Sequence, residues 1–236
     1  MQTEKDLPSE TGHSVSANSF EITELATPKH RHLYFAYGSN LSPSQMKLRC
    51  KHNPTLSSTP LAIAFLPSWK WLICQAGYAN VVPPPGMRVG KQDSAAAHKI
   101  PASGTDDGVY GLLYEMDPAD ERLLDMYEGV DHDAKKADRS EVPVDIRPLE
   151  QGKGSYNKWY LHAQVVEWIG DGEHPIKTEK NGEALVLVYV DENRVVMGPP
   201  KTEYIGRMNR AIRESVSLGI PGRWIEDVMR RFIPVE

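Results

Sequence analysis

The residues best suited to chemistry are Tyr37, Gly38, Ser39 and Asn40, which follow an apolar, aromatic run and precede a helix-start signal. The glycine lets the backbone turn sharply and lets a ligand approach the chain closely. Free N–H groups of such a loop and of the helix N-terminus behind it favour an anion or a developing oxyanion. This loop is therefore a candidate binding site, although Gly, Ser and Asn are also common in ordinary turns.

Glu128 is the second candidate. It lies in the last turn of a predicted helix that begins at Asp117-Pro118 and is ended by Gly129. The helix macrodipole disfavours a negative charge at this end, and burial beside apolar neighbours acts in the same direction. Both effects raise the pKa of the Glu128 carboxyl, which suits a group that takes and returns a proton near neutral pH. The alternative is a solvated glutamate at a helix end.

The elements that must position these residues are mostly strands. Apolar runs predict strands at residues 33–37, 61–66, 69–74, 78–82, 109–116, 141–146, 159–168 and 184–190. The strands do not alternate regularly with helices, as a doubly wound parallel sheet would require. The sequence therefore predicts an α+β domain.

Helical signals surround the strands. Ser42 is a candidate N-cap, with Pro43 in the first turn and Gln45 completing a capping box. Apolar residues recur at helical spacing over residues 205–216 and again over residues 225–232. The chain therefore ends in two predicted amphipathic helices.

The chain divides into a tail and a domain. Residues 1–31 are rich in Ser, Thr, Glu and His and are predicted to be disordered, whereas residues 32–236 form one predicted domain. Residues 86–107, 131–140 and 170–182 lack periodicity and are predicted as exposed loops.

Composition narrows the class of protein. Hydrophobic residues make up 40% and charged residues 25%, as in ordinary globular proteins, and a net charge of -5 without a long basic run argues against nucleic acid. Cys50 and Cys74 are too few for a disulfide framework and are interpreted as small buried hydrophobes. No secretory leader or membrane-length apolar run is visible, so we expect a cytoplasmic protein without a membrane partner.

Taken together, the two motifs resemble the gamma-glutamylcyclotransferase family. Residues 33–41 (LYFAYGSNL) resemble its opening motif, and residues 108–116 (GVYGLLYEM) with 124–130 (LDMYEGV) resemble its strand, helix and catalytic glutamate. Tyr204 stands where the family has a site tyrosine before its last helices. The resemblance spans roughly residues 33–218 and implies a small mixed β-barrel flanked by helices.

The resemblance also implies an activity of the lyase or acyltransferase type. The enzyme would release 5-oxoproline from a gamma-glutamyl amino acid, peptide or glutathione-derived adduct, as a monomer or homodimer. Tyr37 to Asn40 and Tyr204 would bind the substrate, and Glu128 would be the general acid and base. Attack of the α-amine on the γ-carbonyl of the same molecule needs orientation and a proton shuttle but no cofactor or metal.

Two features depart from or extend the family pattern. The family often carries a tyrosine shortly after its Glu-Gly-Val segment, and residues 131–140 contain none. Some fungal relatives act on glutathione adducts of sulfur-containing secondary metabolites, and Trp69, Trp71 and Tyr78 are compatible with such a bulky substrate. Aromatic residues of this kind belong more often to the core than to a substrate site.

The sequence supports other functional classes, such as a metalloenzyme or a nucleophilic hydrolase, less well. A metal site could use His30, His32 or the Asp131-His132-Asp133 segment, but no Cys or His set of the structural-zinc type occurs. Neither cysteine lies in a nucleophile turn, and no Gly-x-Ser-x-Gly elbow is present. A non-catalytic binding module of the same fold stays open, and it would be favoured if Glu128 pointed away from the Gly38 loop.

Overall fold

The computed structural model describes residues 33–139, 142–170 and 181–236. In this part, the chain forms a closed five-stranded barrel, a separate two-stranded sheet and helices packed beside them. The predicted tail at residues 1–31 lies outside the described residues, as do His30 and His32.

The described part of the chain contains seven strands and six helices. The strands are β1 (Leu33–Ala36), β2 (Pro60–Pro67), β3 (Lys70–Ile73), β4 (Ala79–Val82), β5 (Gly108–Glu115), β6 (Asn157–Trp168) and β7 (Glu183–Val190). The helices are α1 (Pro43–Arg49), α2 (Pro54–Ser57), α3 (Ala95–His98), α4 (Pro118–Glu128), α5 (Thr202–Ser217) and α6 (Gly222–Trp224). Two 3₁₀ turns, Ser39–Leu41 and Gly90–Asp93, and one π-helical turn, Ile225–Met229, complete the set. The predicted α+β class is confirmed.

The barrel has the strand order β1-β5-β2-β6-β7 and closes where β7 meets β1. That closing pair is parallel, through Tyr34 and Leu187, and the other neighbouring pairs are antiparallel. A Cβ at Gly111 would lie 2.5 Å from the ring of Phe35, so this glycine gives the ring its space inside the barrel. The mixed barrel confirms the predicted fold and excludes the doubly wound sheet.

The strands β2 and β3 follow each other in sequence but lie in different sheets. The chain turns between the two strands predicted at residues 61–66 and 69–74, and Ser68 takes a positive φ of 63° there. Beyond it, β3 pairs with β4, and Trp69 and Trp71 are buried in the core. The indole N–H of Trp71 donates to the carbonyl of Tyr37 at 3.0 Å. These tryptophans therefore belong to the core, where Trp71 supports the end of β1.

Helix α4 begins and ends as predicted. The Asp117 side chain accepts the N–H of Ala119, and Gly129 ends the helix in the left-handed conformation with φ 63°. Glu128 is consequently the last helical residue. The N–H of Ser155 donates to the carbonyl of Gly129 at 2.8 Å, which holds the segment before β6 against this helix end.

Helix α1 also begins as predicted, with one difference. The Ser42 hydroxyl accepts the N–H of Gln45 at 3.0 Å, and Pro43 occupies the first turn. The amide oxygen of Gln45 accepts a hydrogen bond from Arg210 of α5 instead of closing a capping box. The hydrogen bond between Arg210 and Gln45 links α1 to α5.

Two predicted elements differ in the structure. Residues 142–147 form turns rather than a strand, because the N–H groups of Ile146 and Arg147 both donate to the carbonyl of Pro143, each at 2.9 Å. Residues 225–229 form a π-helical turn where a regular helix was predicted, and the N–H of Arg230 reaches back five residues to Ile225 at 3.0 Å.

The segment at residues 86–107 is not simply an exposed loop. It contains a 3₁₀ turn and helix α3, and Gln92, Ala97 and Ile100 are buried. Residues 170, 181 and 182 belong to no helix or strand, and the rest of the predicted loop at 170–182 lies outside the described residues.

Both cysteines fit their predicted role. Cys50 and Cys74 are buried free thiols, and burial raises the pKa of each. Among the described residues, no helix combines the length and the apolar character needed to cross a membrane.

Candidate active site

A cavity of about 310 Å³ opens where β1 ends, beside the C-terminus of α4 and the first turns of α5. It brings together every site residue predicted from the sequence: Tyr37, Gly38, Ser39, Asn40, Glu128 and Tyr204. The further lining residues are Tyr34, Arg49, Tyr78, Ala79, Tyr127, Ser155, Tyr156, Tyr189, Arg194 and Arg207. The volume suits a small molecule.

The loop after β1 packs tightly against Tyr204. The N–H of Ser39 donates to the Tyr204 hydroxyl at 3.3 Å, while the N–H of Leu41 closes the 3₁₀ turn on the carbonyl of Gly38. A Cβ at Gly38 would lie 3.1 Å from the Tyr204 hydroxyl and 3.3 Å from the Cβ of Ala79. Glycine at this position therefore lets the hydroxyl lie directly against the backbone.

The Glu128 carboxylate uses one oxygen for protein contacts. Its Oε1 accepts hydrogen bonds from Arg49 Nη1 at 2.9 Å and from Asn40 Nδ2 at 3.4 Å. The same Asn40 nitrogen donates to the Tyr34 hydroxyl at 2.9 Å. Within residues 33–139, 142–170 and 181–236, no side chain or backbone group donates to Oε2. This second oxygen is the one that a ligand in the cavity can reach.

The pKa of Glu128 is raised above its ordinary value. Burial is the largest cause, because only 17% of the side chain is exposed, and the charge and hydrogen bond of Arg49 oppose it. The hydrogen bond from Asn40 and the charge of Arg207 oppose it further. The direction agrees with the sequence prediction.

Buried tyrosines form much of the wall, and their hydroxyls are protonated at neutral pH. Burial raises the pKa of Tyr204 to about 12, although the N–H groups of Ala79 and Ser39 oppose the rise. Burial likewise raises the pKa values of Tyr34, Tyr37, Tyr156 and Tyr189. Because the Tyr204 oxygen accepts a backbone N–H, its own proton is available for a bond into the cavity.

Three of these hydroxyls are already committed to protein acceptors. Tyr37 donates to the carbonyl of Tyr189 at 2.6 Å, Tyr156 donates to the carbonyl of Ala79 at 2.7 Å, and Tyr189 donates to Asp125 at 2.6 Å. They fix the shape of the wall and leave the hydroxyls of Tyr34 and Tyr204, each of which accepts a protein N–H, as donors for a ligand.

Basic side chains complete the cavity. Arg207 lies over the Tyr204 ring at 4.9 Å from its centroid. Arg194 donates to the carbonyl of Ser155 at 2.6 Å and pairs with Asp191. Arg49, Arg194 and Arg207 each have a carboxylate partner, namely Glu128, Asp191 and Glu203, so these arginines offer guanidinium N–H donors to a ligand rather than an uncompensated charge.

Sequence reasoning missed Arg49 and Tyr156. Arg49 lies in the last turn of α1, where an arginine ordinarily interacts with the helix macrodipole. Its position in the sequence therefore did not indicate a buried contact with Glu128. No tyrosine occurs within residues 131–139. Tyr156 lines the cavity, because the hydrogen bond between Ser155 and Gly129 holds its segment against the end of α4. Only the folded chain shows this approach.

The polar segment at residues 131–133 has a local structural role. The carboxylate of Asp131 accepts the N–H groups of Asp133 and Lys153 at 3.1 and 2.9 Å. Within the described ranges, no three His, Cys, Asp or Glu side chains are grouped in a way that could hold a metal ion.

Comparison with known proteins identifies the fold. No protein-family model and no curated protein sequence matches the chain. A solved gamma-glutamyl cyclotransferase is similar with a TM-score of 0.50 and 18% identity, over 87% of this chain and 88% of its own. YkqA from Bacillus subtilis is similar with a TM-score of 0.52 and 12% identity, over 88% of this chain and 56% of its own. The chain therefore has the gamma-glutamyl cyclotransferase fold, as its sequence motifs predicted.

Proposed function

We propose that the chain is a gamma-glutamyl cyclotransferase that releases 5-oxoproline from a small gamma-glutamyl compound. One observation carries the proposal. Glu128 lines one small cavity together with the loop that contains Gly38 and Asn40, and its Oε2 is open to a ligand there. Asn40 and Glu128 are 88 residues apart in the sequence. A proton acceptor and a tight backbone turn in one cavity are what an intramolecular cyclisation requires.

The reaction begins with a proton transfer. Glu128 Oε2 takes a proton from the α-ammonium of the substrate, and the freed amine attacks the γ-carbonyl carbon of the same molecule. A C–N bond forms, a five-membered ring closes, and the carbonyl oxygen becomes an oxyanion. We assign the stabilisation of this charge to the Tyr204 O–H, whose oxygen accepts the N–H of Ser39 in the loop after β1.

Collapse of the intermediate returns the proton. Glu128 gives its proton to the leaving nitrogen as the bond from that nitrogen to the γ-carbon breaks. The ring nitrogen still carries both protons of the attacking amine and releases one of them to solvent, so the products are 5-oxoproline and a free amine, amino acid or peptide. No water is consumed, and the carboxylate is restored. The protein therefore supplies orientation, one proton shuttle and an oxyanion donor, which contribute about 10²–10⁴-fold for the shuttle and about 10²–10³-fold for the donor.

A non-catalytic binding module of the same fold is the second candidate. The module would be favoured by a Glu128 side chain that points away from the Gly38 loop, whereas Glu128 and this loop line the same cavity, which supports the enzyme. The discriminating experiment measures 5-oxoproline release from gamma-glutamyl amino acids, glutathione and glutathione S-conjugates, alongside binding of the same compounds. Binding of one of these compounds without release from any of them would favour the module.

The leaving group is part of the proposal. Amino acids, peptides and glutathione-derived adducts, including adducts of secondary metabolites, all carry carboxylates that the basic side chains Arg194 and Arg207 could attract. The cytoplasmic location and the monomeric or homodimeric state also stay predictions.

We expect turnover to survive exhaustive chelation. Proton transfer and orientation suffice for lactam closure, so no step in the proposed mechanism uses a metal ion. The measurement is 5-oxoproline release before and after dialysis against EDTA. Loss of turnover that a divalent ion restores would show that a metal takes part.

The rate should fall in acid at a higher pH than for an ordinary glutamate. Glu128 acts as a base only when ionised, and burial raises its pKa, so activity is lost as the pH drops through this raised value. The acid limb of kcat/KM should therefore lie above the ordinary glutamate value of about 4.3. A limb at or below that value would contradict the assignment of Glu128 as the base.

A further inference from the structure

Arg49 makes two contacts with the end of helix α4. Its Nη1 donates to Glu128 Oε1 at 2.9 Å, and its guanidinium lies over the ring of Tyr127 at 5.0 Å from the centroid. Only 14% of the Arg49 side chain and 17% of the Glu128 side chain are exposed. Two consecutive residues of α4 thus hold one guanidinium.

We propose that Arg49 is the positioning residue for Glu128: it binds Oε1 so that Oε2 faces the substrate amine, and it keeps the carboxylate ionised in a buried site. This inference rests on the proposed cyclisation, in which Glu128 is the base. Arg49 does not touch the reacting atoms in this scheme. It acts through the orientation and charge of Glu128.

The geometry favours arginine over other donors to Glu128. A planar guanidinium can stack on Tyr127 and donate to a carboxylate at the same time, whereas an ammonium group cannot match both contacts. Asn40 also donates to Oε1, but it is neutral and its distance is longer, 3.4 Å. The charged hydrogen bond from Arg49 is therefore the stronger contact.

The other groups around Glu128 do not replace this charge. Arg207 of α5 lowers the pKa of Glu128 less than Arg49 does, and its guanidinium stacks on Tyr204 and lies 3.5 Å from Glu203. Asp125, on the same helix as Glu128, is paired with Lys158. Arg194 also lines the cavity and is paired with Asp191. The charge of Glu128 adds to the burial that raises the pKa values of five protonated tyrosines: Tyr34, Tyr37, Tyr156, Tyr189 and Tyr204.

The test compares Arg49→Met with Lys47→Met, which removes an exposed charge from the same helix. Without Arg49, burial acts on Glu128 with less opposition, so its pKa should rise further. The acid limb of kcat/KM should move up by about 1–3 pH units in Arg49→Met and stay in place in Lys47→Met. Arg49→Lys keeps the charge and should restore the limb to near its wild-type position, with a lower kcat than wild type because the planar contact is lost.

A second readout needs no substrate. Carbon-13 NMR titration of the glutamate carboxyl carbons, with Glu128 assigned from its absence in Glu128→Gln, gives the pKa of Glu128 in the free protein. An upward shift in Arg49→Met supports the proposal, and an unchanged titration in both Arg49→Met and Arg49→Lys overturns it. A wild-type protein that releases no 5-oxoproline would refute the proposed function, while the titration would still decide whether Arg49 controls the charge of Glu128.

Discussion

Replacing Glu128 with Gln is expected to lower the rate of 5-oxoproline release by about 10²–10⁴-fold. Glutamine keeps the size of the side chain, and its amide oxygen can still accept the hydrogen bond from Arg49 that Oε1 accepts now. It cannot take the proton of an α-ammonium group. Turnover should therefore fall while the fold and the binding of a gamma-glutamyl compound persist.

The matched control is Glu115→Gln. Glu115 lies at the end of β5 and is not among the residues that line the cavity. Its replacement removes a carboxylate of the same type and should leave kcat/KM within a few-fold of wild type. Thermal melting of both variants separates loss of fold from loss of chemistry. Near wild-type turnover in a folded Glu128→Gln enzyme would refute the mechanism and leave the fold unaffected.

Local signals made helix α4 predictable. The Asp117-Pro118 start and the Gly129 stop are set by backbone hydrogen bonding within a few residues, and both occur where the sequence placed them. The loop at Gly38 follows from a buried strand, a glycine and a capped helix in succession. Helix ends and loops whose backbone hydrogen bonds involve only near neighbours in the chain could thus be predicted from the sequence alone.

Long-range contacts were predictable only where the family resemblance supplied them. The shared cavity of Glu128 and the Gly38 loop was expected on that ground. The Arg49–Glu128 ion pair was not, since neither residue type nor spacing indicates which of many arginines meets a buried carboxylate. The approach of Tyr156 depends likewise on a backbone hydrogen bond between Ser155 and Gly129.

Tertiary context also overrode local patterns. Residues 141–146 alternate like a strand, but Pro143 lacks an N–H, and its carbonyl instead accepts two N–H groups that close turns. The apolar spacing at residues 225–232 fits a helix, and the chain takes a π-helical turn while burying Ile225, Val228 and Met229. The apolar pattern fixed which residues are buried but not the local hydrogen bonding.

Gly38→Ala is expected to lower turnover by up to about 10²-fold with the fold retained. The neighbours of the new Cβ must give way by a few tenths of an ångström, and a displacement of about 1 Å in a catalytic group can cost about 10²-fold. The backbone at Gly38 has φ -116° and ψ -139°, outside the left-handed region, and the space for an added Cβ is tight. The added Cβ would lie 3.1 Å from the Tyr204 hydroxyl. It should push that hydroxyl away from the N–H of Ser39 and from the developing oxyanion.

A double-mutant cycle with Tyr204→Phe tests this cause. Tyr204→Phe alone removes the proposed oxyanion donor and should lower kcat by about 10²–10³-fold. It also removes the oxygen that the new Cβ would meet, and leaves only the contact of 3.3 Å with the Cβ of Ala79. Gly38→Ala should then cost far less in the Tyr204→Phe background than in wild type, since neighbours that act through one contact are not additive. Equal costs in both backgrounds would show that Gly38 serves the loop itself and that the Tyr204 hydroxyl has no part in its effect.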